Sequence, residues 1–154
     1  MPTITFKPMV EKDFDDYLKG AILSYGAELE SIDMVPKGSG VKAAERQFEQ
    51  ALPQGIKTKN FYFFNTYNEN RQHIGIVIYG QRNKDEAFII DLQIFESHQR
   101  KGYGKQVMSE MEKHAKQSGF GKMSLHVFGH NKSAWGLYKK LGYEETSLQM
   151  SKQL

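Results

Sequence analysis

Between residues 60 and 95 the chain carries three strand-like runs, "NFYFFNTY", "HIGIVIYG" and "AFIIDLQIF", parted by the polar turns "NENRQ" and "QRNKDE". Aromatic and β-branched residues dominate these runs, which suits a pleated, half-buried surface. Connections this short cannot return the chain to the start of a parallel strand, so the three runs predict an antiparallel meander. A chain of 154 residues built around such a meander can bury one proper core but not two, so residues 1–154 are expected to form a single domain.

The flanking segments show helical and strand periods in alternation. "TITFK" alternates as a short strand. From Phe14, apolar residues recur at Tyr17, Leu18, Ala21, Ile22, Tyr25 and Leu29, one face of a helix that "DMVPKGSG" ends. Val41, Ala44, Phe48, Ala51 and Leu52 mark a second helix, stopped by Pro53 and Gly55. After the meander, Tyr103, Val107, Met111 and Ala115 line a third, ended by Gly119. "KMSLHVF" reads as a strand, Asn131 as the cap of a fourth helix ending at Gly142, and "EETSLQM" as a closing strand. The strand–helix–strand step over 87–128 asks for a parallel pair with a right-handed crossover. The expected fold class is α/β in the sense of one mixed antiparallel and parallel sheet, flanked by helices on both faces.

Composition narrows the function classes. A formal charge of +3 is too small to argue for nucleic acid. With no cysteine there is no disulfide, thiol nucleophile or thiolate metal site. The start lacks the cationic head and apolar stretch of a secretory signal, and no apolar run is long enough to cross a bilayer, so a soluble, cytoplasmic protein is expected. Charge is uneven: residues 1–35 hold seven acids against three lysines, while residues 99–122 carry six cations against two acids. The two ends of the fold are therefore suited to ligands of opposite sign.

The stretch "HQRKGYGKQV", residues 98–107, places two glycines and three cations where a strand runs into a helix. A helix start offers unpaired N–H groups and the positive end of its dipole, and glycine lets a ligand approach the backbone. Together these make a phosphate site. The dinucleotide fingerprint fails because Val107 stands where its third glycine belongs, and a Walker loop fails at Gln99 and Gln106.

What remains, Gln99-x-x-Gly102-x-Gly104, resembles the acetyl-coenzyme A signature of the GNAT superfamily of N-acetyltransferases. "LQIFESHQRKGYG" is similar to that family's core strand and pyrophosphate loop. "LHVFGHNKSAWGLYKKLGYEET" is similar to its second block, through Asn131, Leu137-Tyr138 and Leu141-Gly142-Tyr143. The similarity runs from about residue 60 to 145, with Arg100 standing where many members have a small residue or glycine. The resemblance implies that acetyl-CoA lies between two diverging strands, its pantetheine on backbone near Ile94 and its pyrophosphate on amides of residues 99–104. Gln99, Arg100, Lys101, Gly102, Tyr103, Gly104, Lys105, Asn131 and Tyr138 complete the implied cofactor site. It implies direct attack of a primary amine on the thioester, with Tyr138 protonating the leaving thiolate.

The base is read first as His126, with Asp91 the runner-up, Glu96 third, and water alone as a further route. Histidine titrates in the right range, and some members of the family place a glutamate base at the matching position of His126. Asn131 serves as a helix cap whatever else it contacts. Trp135 and Tyr25 are read as packing residues before any channel or subunit role, and His73, His98, His114 and His130 show no metal spacing. The competing class is an acyl-CoA-binding sensor or protein-interaction module without transfer. The partners implied are acetyl-CoA, an unidentified amine, whether small molecule or protein, and a second copy of the chain through the final strand; neither nucleic acid nor membrane is expected.

Overall fold

The computed structural model describes residues 3–154. In chain order the elements are β1 (Thr5–Pro8), α1 (Glu11–Ser31), α2 (Gly40–Ala51), a 3-10 turn (Gly55–Lys57), β2 (Phe61–Tyr67), β3 (His73–Gln81), β4 (Glu86–Ile94), a second 3-10 turn (Glu96–His98), α3 (Tyr103–Gln117), β5 (Lys122–Ser124) and α4 (Lys132–Lys140). The sheet runs in sequence order, β1 to β5. Its first three pairings are antiparallel and β4–β5 is parallel, as the meander and crossover predict.

β3 is buried along nearly its whole length because helices cover both sides of it. On one face Val77 and Tyr79 pack with Ala87 and Ile89 under Val107, Met108 and Met111 of α3, with Tyr138 and Leu141 of α4 beside them. On the other, Ile76, Ile78 and Phe63 pack under Phe14, Leu18 and Phe48 of α1 and α2. Two extra residues break the alternation. Ile74 has no partner in β2, and Ile90 has none in β3, since Ile78 pairs with Asp91 and Tyr79 with Ile89. Such a bulge reverses which face the following residues take. Before it Ala87 and Ile89 face α3; Ile90 faces α1; after it Leu92 and Ile94 face α3. Asp91 and Gln93 are thereby turned toward α1.

Two expectations are corrected. The strand expected over 122–128 stops at Ser124, paired with β4 over three positions only, Glu86↔Lys122 to Phe88↔Ser124. The bulge at Ile90 bends β4 away, so Leu125 and Val127 keep their alternation but have no ladder to join. The final strand expected over 144–150 is also absent. Residues 143–154 form no helix or strand, and Leu148 and Met150 are 68% and 87% exposed. Alternation marks a strand only where a neighbouring edge receives it. The subunit contact expected through that strand has no strand behind it among the described residues.

Candidate active site

The truncated β4–β5 pairing leaves one edge of β4 open beyond Phe88. Phe95 N–H donates to Ile74 O on the β3 side at 2.8 Å. By alternation the backbone groups of Ile94 face the open edge. There Ile94 O accepts from Gln99 Nε2 at 2.8 Å.

The chain then turns sharply. Gln99 N–H is already used, donating to Glu96 O at 3.2 Å. Arg100 and Gly102 both hold left-handed backbone, at φ 60° and 83°. From Arg100 to Lys105, six consecutive N–H groups find no acceptor among the described residues; the first donation in α3 is Gln106 N–H to Gly102 O. Amides curled through left-handed residues into a helix start form an anion-binding concavity. Arg100, Lys101 and Lys105 are exposed around it. A Cβ at Gly104 would meet Leu137 Cδ2 at 3.5 Å, ordinary contact, and α4 is thereby packed against the turn. Tyr103 is buried and ties the turn to the β2–β3 hairpin, donating to Glu69 Oε1 and accepting from Asn68 Nδ2, each at 3.3 Å. The free amides in this turn are those of residues 100–105, a set that a diphosphate would fit; of the expected 99–104, Gln99 N–H is bonded within the chain.

On the α1 side of the sheet lies a cleft of about 480 Å³, lined by Asp13, Asp16, Tyr17, Gly20, Asn65, His73, Gln93 and others. Asp13 is held by Asn65 Nδ2 at 3.1 Å, and Asn65 is 7% exposed. Below the cleft, Asp91 Oδ2 accepts from Tyr17 Oη at 2.7 Å and from Gln93 Nε2 at 2.9 Å. Burial pushes the Asp91 carboxyl above the ordinary carboxylate range, against the pull of donors from Tyr17, Gln93 and the Leu92 backbone. Burial and the adjacent Asp91 charge also push Tyr17 upward, so its phenol stays protonated. Tyr138 is half-buried and is raised by burial and then by the Asp91 charge, which puts Tyr138 and Asp91 within electrostatic reach of each other.

The other sequence-predicted residues lie farther out. His126 is exposed beyond the end of β5, edge-on to Phe128 at 4.9 Å. Glu96 is exposed in the 3-10 turn. Asn131 caps α4, its Oδ1 accepting from Ala134 N–H at 3.4 Å. His130 Nε2 lies 2.9 Å from Glu28 Oε2, and Phe128 stacks on Tyr25, fastening the β5–α4 loop to α1. Trp135 lies between Lys132 and Lys139 at about 5 Å. Tyr17, Gln93 and Asn65 escaped the sequence reading. Tyr17 shares its helical period with the core residues around it, and the one available signal was Asp91 itself: a carboxylate inside an apolar strand requires donors.

Comparison with known proteins places this geometry. The profile of the acetyltransferase (GNAT) family matches residues 28–143. The uncharacterized N-acetyltransferase YycN of Bacillus subtilis (strain 168) is 31% identical, covering 99% of each chain. YdgE of the same organism, another uncharacterized N-acetyltransferase, is 27% identical over 97% of this chain and 98% of its own. The crystal structure of YycN superposes with a TM-score of 0.92 at 30% identity over 99% of both chains. More distantly, AAC(6')-Iy in complex with the bisubstrate analog CoA-S-monomethyl-acetylneamine shares the fold at a TM-score of 0.60 and 13% identity, over 100% of this chain and 98% of that one. The profile match over most of the chain and the end-to-end relatedness to YycN agree with the open β4 edge and its amide-rich turn: this chain belongs to the GNAT family of acetyltransferases.

Proposed function

We propose that residues 1–154 act as one N-acetyltransferase domain that moves the acetyl group of acetyl-CoA to a primary amine by direct attack within a ternary complex. The observation that carries this reading is the juxtaposition of six free amides at residues 100–105 with a cleft lined by Asp13 and Asp16. The amides, with Arg100, Lys101 and Lys105, would hold the diphosphate. The open edge at Ile94 would hold the pantetheine, with Gln99 setting that edge, Tyr103 bracing the turn and Asn131 fixing the start of α4. Bound there, acetyl-CoA supplies an activated thioester. A ternary complex is supported by AAC(6')-Iy, which has the same fold and is in complex with the bisubstrate analog CoA-S-monomethyl-acetylneamine.

The acceptor we assign is a small amine carrying a further positive charge. Asp13, with Asp16 beside it paired to Lys12 at 2.9 Å, gives the cleft an acidic wall that attracts cations, and an alkylammonium near the reacting carbon must still give up a proton. For an amine of ordinary basicity, freeing the lone pair at pH 7 costs roughly 4–5 kcal/mol. Asp91 is the base this geometry favours over His126 and Glu96. It sits under the cleft, and burial makes its carboxylate a stronger base. Tyr138 keeps its proton and serves as hydrogen-bond donor to the departing thiolate. The balance is one ammonium proton to Asp91, N–C bond formation, C–S bond cleavage, and loss of the second N–H proton from the attacking nitrogen, which replaces through Tyr138 Oη the proton that the phenol passes to sulfur.

The test is thiol release from acetyl-CoA across a panel of mono- and polyamines, with Tyr138→Phe as the diagnostic variant. Polycations should lead the panel, and Tyr138→Phe should bind CoA normally while losing most turnover. Unchanged turnover would remove Tyr138 from the chemistry. CoA binding with no thiol release from any amine would favour the sensor instead.

A further inference from the structure

The base assigned above is partly exposed, yet it does not itself line the cleft. Asp91 is not among the cleft-lining residues, whereas both side chains that donate to its Oδ2, Tyr17 and Gln93, are. Any proton travelling from an amine in the cleft to Asp91 by this route meets one of these two. An amide cannot pass a proton on at accessible cost; a phenol can, since its oxygen accepts as its hydrogen departs. The bulge at Ile90 gives the arrangement its purpose-built look, because a regular β4 would turn Asp91 to the α3 face, away from Tyr17.

We propose that Tyr17 is a further catalytic residue, relaying the acceptor's proton from the cleft to Asp91; this rests on the reading of Asp91 as the base. In the relay an ammonium N–H bond breaks and its proton joins Tyr17 Oη. The phenol's own proton passes along the 2.7 Å hydrogen bond to Asp91 Oδ2. The nitrogen keeps the electron pair, Asp91 ends as the neutral acid, and Tyr17 is never a phenolate. Gln93 holds the receiving oxygen in place throughout. Tyr17 also packs on Phe14, with ring centroids 6.2 Å apart, so replacing it with phenylalanine keeps the ring and removes only the oxygen.

The experiment is a double-mutant cycle of Tyr17→Phe and Asp91→Asn, following kcat and the KM for acetyl-CoA with the best amine of the panel. The relay predicts that each single variant loses about a hundredfold or more in kcat with the acetyl-CoA KM unchanged. The double variant should then be no worse than Asp91→Asn alone, as for groups acting as one unit. Loss in Asp91→Asn with wild-type kcat in Tyr17→Phe overturns the relay and leaves the base in place. Wild-type kcat in Asp91→Asn overturns the base reading itself. Additive losses in the double variant assign Tyr17 to packing and also overturn the relay. Should Tyr17→Phe fold poorly, a difluorinated tyrosine at position 17 keeps the shape and makes the phenol more acidic. The relay then predicts altered kcat at constant acetyl-CoA KM, and an unaltered kcat refutes it.

Discussion

Asp91, which the sequence reading ranked behind His126 as a base, carries a stability signature of its own. It lies in β4 between the apolar Ile90 and Leu92, and its carboxyl is pushed up by burial. The groups facing it are Tyr17 and Glu28 from α1, Gln93 on its own strand and Tyr138 from α4. A carboxyl whose folded pKa lies above its unfolded value favours the folded state most when protonated. That contribution is full below the unfolded value and is lost as pH rises through the folded one. Asp91→Asn has no such titration. Melting temperatures of the two proteins from pH 4 to 8 should therefore diverge in favour of the variant as pH rises, and converge in acid; a constant gap would contradict the assignment. Tyr17 shows the opposite case of legibility. A tyrosine on the inner face of a helix, flanked by Phe14 and Leu18, has the pattern of a core residue, and its partner lies 74 positions away. No local signal distinguishes a packed phenol from one that donates to a carboxylate.

At the scale of elements, what was legible was local. The meander, the starts and stops of α2, α3 and α4, and the glycine-bearing turn follow from periodicity, caps and short connections. The bulges at Ile74 and Ile90, the early end of β5 and the absence of the last strand depend on which edge meets which, and nothing within a single run states that. The consequence for the site is large, because the bulge aims Asp91 and the short β5 opens the β4 edge. On the proposed reading, the turn into α3 is a place where function overrides propensity. Gly104 sits inside a helical first turn, where alanine would be favoured by about 1 kcal/mol. Leu137 leaves room for a methyl group there. Gly104→Ala should accordingly raise the unfolding free energy by about 1 kcal/mol in denaturant titration. The same methyl crowds the amides at residues 103–105, so affinity for CoA should fall about tenfold or more, by calorimetry. Unchanged affinity would place the diphosphate elsewhere.

Across the whole molecule the charge asymmetry seen along the chain becomes spatial. Arg100, Lys101 and Lys105 of the cationic segment are exposed around the free amides at the start of α3, and acids of α1 line the cleft on the other side of β4. The order of strands follows the order of the chain, so the two sites come from segments some 80 residues apart brought to one end of β4. The identity of the amine was not legible because the cleft is assembled from α1, β2, β3 and β4 together, and no contiguous motif encodes it. The proposed anion site could be read from the sequence because one short turn builds it. Its direct test is an amide nuclear magnetic resonance titration of the full chain with CoA. The largest shifts should fall on the N–H groups of residues 100–105, with a second set at Leu92 and Ile94 along the open edge. No response, or shifts confined to other parts of the chain, would contradict the account.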